Sequence, residues 1–245
     1  MQFFLDTVET IPENSGFALY SPLHLCWLVA FVLITVLCCL WYRKLDQKAR
    51  VVWKKGVALL IVADELFKMA MLMIGDRYSF GYLPFHQCSI NIFVIAFYAW
   101  KPTKTVGGYL YTVGIPGAMA ALLFPSWTKL PLGNFMHLHS FTIHILLAMF
   151  PIVLATSGEV VPKLREAPKY LLMLGAMAIP VFGINLLLDT NFMFLMSADP
   201  GNPLYIFEQL WGNHLLGFPV LITGVILVMF GPLEISRKLR KKNAK

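Results

Sequence analysis

The sequence predicts an all-α, polytopic membrane protein. It reads as a seven-transmembrane helix bundle in a single integral domain, 1–245, with the N-terminus outside and the C-terminus cytoplasmic. Three observations predict this. The 245 residues are 58% hydrophobic and only 13% charged, more apolar surface than a soluble domain of this size keeps dry. Apolar runs repeatedly reach the ~20 residues that a helix needs to cross hydrocarbon. Seventeen of the twenty Lys and Arg fall in alternate connections, as the positive-inside bias requires. The runs are continuous rather than alternating, which argues against a β-barrel.

The first span, about 18–41, follows a segment carrying Asp6, Glu9 and Glu13. That is the wrong polarity for a cleavable signal peptide, so the span reads as a retained signal anchor. Arg43, Lys44, Lys48, Arg50, Lys54 and Lys55 lie between it and the second span, about 53–74. Near the middle of the second span sit Asp64, Glu65 and Lys68. Glu65 and Lys68, at i and i+3, could form a structural ion pair or serve a proton or substrate path. The third span, about 84–100, is the shortest, and a six-span alternative makes it re-entrant. Lys101 and Lys104 follow it. The fourth, about 105–124, is rich in Gly107, Gly108, Gly114, Gly117 and Ala118, which lets helices approach closely. Pro116 predicts a kink there, with room for a pocket beside it.

The fifth span, about 138–157, carries His137, Ser140 and His144 on one face at i, i+3 and i+7. Lys163, Arg165 and Lys169 follow. The sixth, about 169–188, runs outward through Asn185 and Asp189. The stretch 189–211 is the longest connection. Its first part, Asp189 to Leu195, is an amphipathic run that could lie over a pocket mouth or be a plain loop. Its second part, Asp199-Pro200-Gly201-Asn202-Pro203, is a turn cluster. The seventh span, about 212–233, opens with Asn213 and His214 and leads into a basic C-terminus. The net charge of +7 is therefore a topology signal and a handle for anionic headgroups, and no nucleic acid partner is expected.

Polar groups are costly inside hydrocarbon, so their positions are informative. His24, Cys88, Asn91, His137, Ser140, His144, Asn185, Asp189 and His214 come from five spans. At ~1.5 Å per residue they share a layer roughly 5–12 Å below the outer surface. The cytoplasmic half predicts no comparable set. A thiol becomes a nucleophile when it loses its proton, and a nearby imidazole can accept that proton. Cys88 with His144 as base could thus form a thioester. Asn91, Ser140, Asn185 or Asp189 would orient the base or donate to an oxyanion. His24, His137, Asn191 and His214 are placed around the substrate pocket. The structural alternative, in which Cys88 and His144 only pack, stays open. So does a disulfide between Cys26 and Cys88. Cys38 and Cys39 suit packing or acylation near the cytoplasmic face. No cofactor and no metal site is expected: His137, His139 and His144 lack the i, i+4 ligand spacing, and there is no HExxH.

Leu83-Pro84-Phe85-His86-Gln87-Cys88, the Gly/Pro-rich fourth span ending at Leu123-Phe124-Pro125, Phe141-Thr142-Ile143-His144 and Thr190-Asn191-Phe192-Met193-Phe194-Leu195 together resemble the YwaF-like integral membrane family of bacteria. The resemblance covers most of the chain. A eukaryotic relative with this arrangement looks like a cysteine-dependent acyltransferase that remodels ether phospholipids. There is a more distant likeness to small membrane lipid hydrolases that use Thr and His. The resemblance implies Cys88 as nucleophile, His144 as base, and a place in the bacterial cytoplasmic (inner) membrane. The segment Trp211-Gly212-Asn213-His214 departs from the family's Trp/Pro/Tyr-rich approach to the last span, which bears on substrate choice. The expected function is a membrane-embedded acyltransferase or transacylase acting on a phospholipid or lysophospholipid through a cysteine thioester. A lipid esterase with the same pair and a non-enzymatic transporter or ligand-binding protein are the alternatives.

Overall fold

The computed structural model describes residues 3–198 and 202–243, and every regular element among them is helical. The turn predicted at Asp199-Pro200-Gly201 lies outside the described residues. Nine α-helices follow in order: α1 Pro22–Lys44, α2 Gln47–Ile74, α3 Gln87–Trp100, α4 Lys104–Tyr109, α5 Ile115–Leu123, α6 Phe135–Thr156, α7 Ala167–Leu188, α8 Pro203–Trp211 and α9 Gly217–Asn243. A π-helical turn, Leu110–Gly114, joins α4 to α5 into one span, Lys104–Leu123.

The helix ends are written in the sequence. Pro22 sits in the first turn of α1, where its missing N–H costs nothing. Asp46, Thr103, Asn134 and Asn202 are N-caps whose side chains accept backbone N–H groups of α2, α4, α6 and α8. Asp189 and Gly212 close α7 and α8 in the left-handed conformation, with φ of 51° and 69°.

Among the described residues, five helices are long and apolar enough to cross a membrane: Pro22–Lys44, Lys104–Leu123, Phe135–Thr156, Leu164–Leu188 and His214–Leu239. The other two expected spans exist as helices with a different character. α2 has the length, but Asp64, Glu65 and Lys68 interrupt its apolar run. α3 is apolar but has 14 residues, about 21 Å at the α-helical rise against a hydrocarbon core of ~30 Å. Each has two faces: α2 buries Glu65 and Lys68 but exposes Val52, Leu59, Leu66 and Ile74, and α3 buries Asn91 and Ile95 but exposes Phe93, Phe97 and Trp100. α2 packs on α3 and on α6, and α3 packs on α6.

The bundle is built around α6. Its apolar window is 72% buried, against 17% for α1 and 11% for the sixth and seventh spans, so those three wrap the outside. Their outward side chains, such as Leu172, Ile179 and Leu187, are large, aliphatic and exposed, which suits a lipid surround and not water. The small residues of the fourth span act as expected: a Cβ on Gly108 would run into the ring of Tyr170 from α7. The kink expected at Pro116 takes the form of the π turn. Pro116 cannot donate to the carbonyl four residues back, and the wider turn immediately before it absorbs the break.

Candidate active site at the loop-covered end of the bundle

Cys88 sits in the first turn of α3, half-buried and packed against the core. It is a free thiol, as are Cys26, Cys38 and Cys39, so the disulfide alternative between Cys26 and Cys88 is not realised here. His144 lies on α6, which packs directly on α3. Its ring stacks on Trp127, with centroids 5.2 Å apart, and its Nδ1 is 2.6 Å from the carbonyl oxygen of Ser140. A carbonyl only accepts, so Nδ1 carries the proton and Nε2 presents a lone pair. No hydrogen bond engages that Nε2 among the described residues, and none joins the Cys88 sulfur to it. His86, two residues before Cys88, lies within electrostatic range of His144.

The other histidines of α1 and α6 are committed elsewhere. His24 Nδ1 accepts from the backbone N–H of Tyr20 at 3.0 Å, and its Nε2 donates to the carbonyl of Leu122 at 2.8 Å. His137 Nε2 accepts from the Trp27 indole at 3.0 Å, and its Nδ1 donates to the carbonyl of Leu130 at 2.9 Å. Both rings are fully buried struts between helices. His139 points the other way, since residues two apart on a helix face apart. Its Nδ1 is 3.1 Å from Asp64 Oδ2, and its Nε2 is 3.8 Å from Glu65 Oε2. Glu65 in turn pairs with Lys68 at 2.5 Å. The ion pair expected on α2 is therefore part of a buried network of two carboxylates, a lysine and a histidine between α2 and α6. The available signal for His139 was that its face is opposite that of His137.

The two motifs at the ends of the resemblance meet in space. The segment Asp189–Leu195 folds over the start of α3. Phe192 packs edge-on against Phe85 and His86, and Phe194 lies against His86. The backbone N–H of Met193 approaches His86 Nδ1 at 3.4 Å. A cavity of about 430 Å³ lies between them, lined among others by Ser79, His86, Asp189, Thr190, Asn191 and Phe194. Asp189, Met193 and Phe194 all hold positive φ (51°, 58° and 54°), a strained run for residues with side chains.

Asn185 explains how that strain is held. Its Oδ1 accepts from the Phe192 N–H at 2.8 Å and from the Thr190 hydroxyl at 3.0 Å, and its Nδ2 donates to the Phe192 carbonyl at 3.0 Å. Both ends of the Asn185 amide are thus engaged in shaping the loop. Asn191 binds its own loop through Met196 and Ser197 while lining the cavity. His214 Nε2 donates to the Phe194 carbonyl at 3.1 Å, which ties the loop to the start of the last span. Ser140 supplies the carbonyl that orients His144. Asn91, 1% exposed, has no hydrogen-bond partner on either amide atom among the described residues.

A second polar cluster, not expected from sequence, sits at the opposite end. Glu159, in the connection after α6, accepts from the Tyr42 hydroxyl and the Lys54 ammonium at 2.8 Å each, and Arg50 lies 3.5 Å away. Partial burial pushes its carboxyl up. The hydrogen bonds from Lys54 and Tyr42 and the charges of Lys54 and Arg50 outweigh that and hold it below the usual glutamate value. Glu159 also borders a cavity of about 380 Å³ shared with Tyr98, Thr103, Lys104, Lys163 and Glu166. Among the described residues no His/Cys/Asp/Glu group has the arrangement to hold a metal ion.

A membrane-protein family profile, the TMEM164 family, matches residues 19–230. No curated protein and no solved structure matches the chain.

Proposed function

The chain belongs to the TMEM164 family, and on that premise we propose that it is a membrane-embedded acyltransferase that passes a phospholipid acyl chain through a thioester on Cys88. One observation carries the reading. On helices that pack together at the loop-covered end of the bundle, Cys88 and His144 Nε2 are a thiol and an imidazole nitrogen left without hydrogen bonds among the described residues, while His24 and His137 have both nitrogens bonded. A structural histidine in a membrane bundle has every reason to satisfy both nitrogens.

In the proposed reaction His144 Nε2 takes the thiol proton as the Cys88 sulfur attacks the acyl carbonyl. The S–C bond forms, the carbonyl becomes an oxyanion, and the ester C–O bond breaks. The departing lysophospholipid alkoxide takes the proton back from His144. A second hydroxyl then gives its proton to His144, attacks the thioester, and leaves Cys88 as the thiol. The hydrogen bond from Nδ1 to the Ser140 carbonyl would hold the tautomer throughout and stabilise the imidazolium. The loop cavity beside His86 would receive the lipid's polar end. The proposed setting is the outer leaflet of a bacterial cytoplasmic membrane, as the YwaF-like resemblance implies.

The test is covalent. Purified protein offered labelled phospholipid should form a hydroxylamine-sensitive acyl adduct that is absent in Cys88→Ala. His144→Ala should slow adduct formation by roughly 10²–10⁴-fold. An adduct that persists in Cys88→Ala removes the nucleophile from this role. The esterase reading is favoured by the polar lining of the outer cavity, Ser79, Asp189, Thr190 and Asn191, which suits water as acceptor. Free fatty acid as the sole product, with lysolipid present, would select it.

A further inference from the structure

At the end of α3 away from Cys88, the cavity of about 380 Å³ opens where several elements finish or begin: the last turn of α3, the start of α4, the connection after α6 and the turn before α7. Its walls are of two kinds. Val160, Val161 and Pro162 are apolar, while Lys104 and Lys163 bring cations and Thr103 a hydroxyl.

The charges at this cavity are unevenly answered. Glu159 is held by Lys54 at 2.8 Å, by Arg50 at 3.5 Å and by the Tyr42 hydroxyl. Glu166, on the same lining, accepts from the Tyr170 hydroxyl at 3.2 Å. Arg237, which reaches the rim from α9, is spent on Glu234 and the Pro162 carbonyl. The ammonium groups of Lys104 and Lys163 make no hydrogen bond or ion pair among the described residues. Both carboxylates therefore have donors from within the chain, and both lysines lack an acceptor. Four cations, Arg50, Lys54, Lys104 and Lys163, stand against two carboxylates, which favours an anion in the cavity. Thr103 Oγ1 accepts the Val106 N–H at 3.2 Å, which leaves its own O–H to donate.

The apolar wall narrows the kind of anion. Val161 and Leu164 flank Lys163 in the chain and are exposed, as is Trp100 at the end of α3. A free anion gains nothing from covering such surface, whereas a lipid phosphate arrives with acyl chains that do. The cavity also sits at helix ends, the level at which headgroups lie, and on the side that the basic residues predict to be cytoplasmic.

We infer that this cavity binds the phosphate of an anionic glycerophospholipid, with Lys104 and Lys163 as its cationic partners and the Thr103 hydroxyl as a neutral donor. The bound phosphate would bridge the start of α4 to the connection between α6 and α7, so occupancy is read as added stability. The site stands apart from the proposed acyl transfer, because it lies at the other end of α3 and uses none of the same residues.

The experiment melts the full chain in detergent micelles at fixed ionic strength. The probes are dioleoyl phosphatidylglycerol, dioleoyl phosphatidylcholine, whose phosphate already has its own choline charge, and inorganic phosphate. Wild type should melt higher with phosphatidylglycerol than with phosphatidylcholine. The double variant Lys104→Gln with Lys163→Gln should lose most of that difference, and the pair Lys104→Arg with Lys163→Arg should keep it. Lys44→Gln with Lys48→Gln removes the same charge from the connection between α1 and α2 and should keep it as well, as should Cys88→Ala. The lipid-free melting point of the glutamine pair should equal wild type, since neither ammonium has a partner in the chain to lose. No preference in wild type, or a preference that survives in the glutamine pair, overturns the inference. An equal loss in the Lys44 and Lys48 variant also overturns it, by showing diffuse surface charge in place of a site. A loss in Cys88→Ala would move the lipid to the other end of the bundle, with the same consequence. A lower lipid-free melting point in the glutamine pair would show that the lysines already have partners, and overturns it too. Inorganic phosphate that alone reproduces the shift, and fails to in the glutamine pair, supports the lysine pair as a phosphate site and overturns lipid as its source.

Discussion

His144 shows how much one hydrogen bond decides. A neutral imidazole has one N–H and one lone pair, and the Ser140 carbonyl assigns the N–H to Nδ1. The remaining lone pair is the only feature of the ring that can take a proton from a thiol. His24 and His137 look equivalent in sequence, yet each spends both nitrogens on cross-links between elements. Trp27→Phe is expected to leave His137 Nε2 buried and unbonded and to lower the melting temperature, by about 1–3 kcal/mol of stability in a denaturation measurement. At the other end, Glu159 predicts a pH dependence. Its folded-state pKa lies below the ordinary glutamate value of 4.5, so its stabilising contribution is complete above that value. It is lost as pH falls through the lower folded value. Glu159→Gln should therefore melt several degrees below wild type at neutral pH, and the gap should close in scans taken progressively below pH 4.5. A gap independent of pH would mean the charge is not what holds Lys54 and Tyr42.

At the scale of elements, the fourth span is the most constrained piece of the bundle. It needs small residues for α7 to approach and a π turn to pass Pro116. Gly108→Ala places a methyl group against the Tyr170 ring, a stiff neighbour that cannot swing aside like the end of a flexible chain. The variant should lose roughly 1–3 kcal/mol of stability, read as a lower melting temperature, with Tyr170→Ala as a second change that partly restores it. The loop Asp189–Leu195 is the other constrained element. Its three left-handed residues persist because Asn185 and His214 bond its backbone from both sides. Asn185→Ala should release the loop, measured as faster proteolysis or hydrogen exchange over residues 189–195 with the helices still protected.

At the scale of the whole molecule, an odd number of crossings puts the two termini on opposite sides. With seven crossings, the seventeen of twenty basic residues in alternate connections predict a cytoplasmic C-terminus. A C-terminal green fluorescent protein fusion should fluoresce, and an N-terminal reporter active only outside should report. Both termini on one side would reduce the crossings to an even number and make α3, with its 14 residues, re-entrant. Burial is uneven in a way that suits this architecture: α6 is the buried centre and packs on α2 and α3, which turn their charged and polar residues inward and apolar faces outward, while α1, α7 and α9 lie on the outside.

The sequence by itself determined the helical character and the places where helices start and stop. These follow from local quantities: apolar run length, capping residues, proline and glycine, and the transfer cost of charge. Only the tertiary structure decided which histidines are spoken for, that His139 belongs with Asp64 and Glu65, and that Asn185 shapes a loop with both ends of its amide. Those outcomes depend on which groups from distant segments reach one another. A helix face states a direction, but the neighbour it meets, such as the Leu130 carbonyl for His137 or Phe192 for His86, comes from elsewhere in the chain.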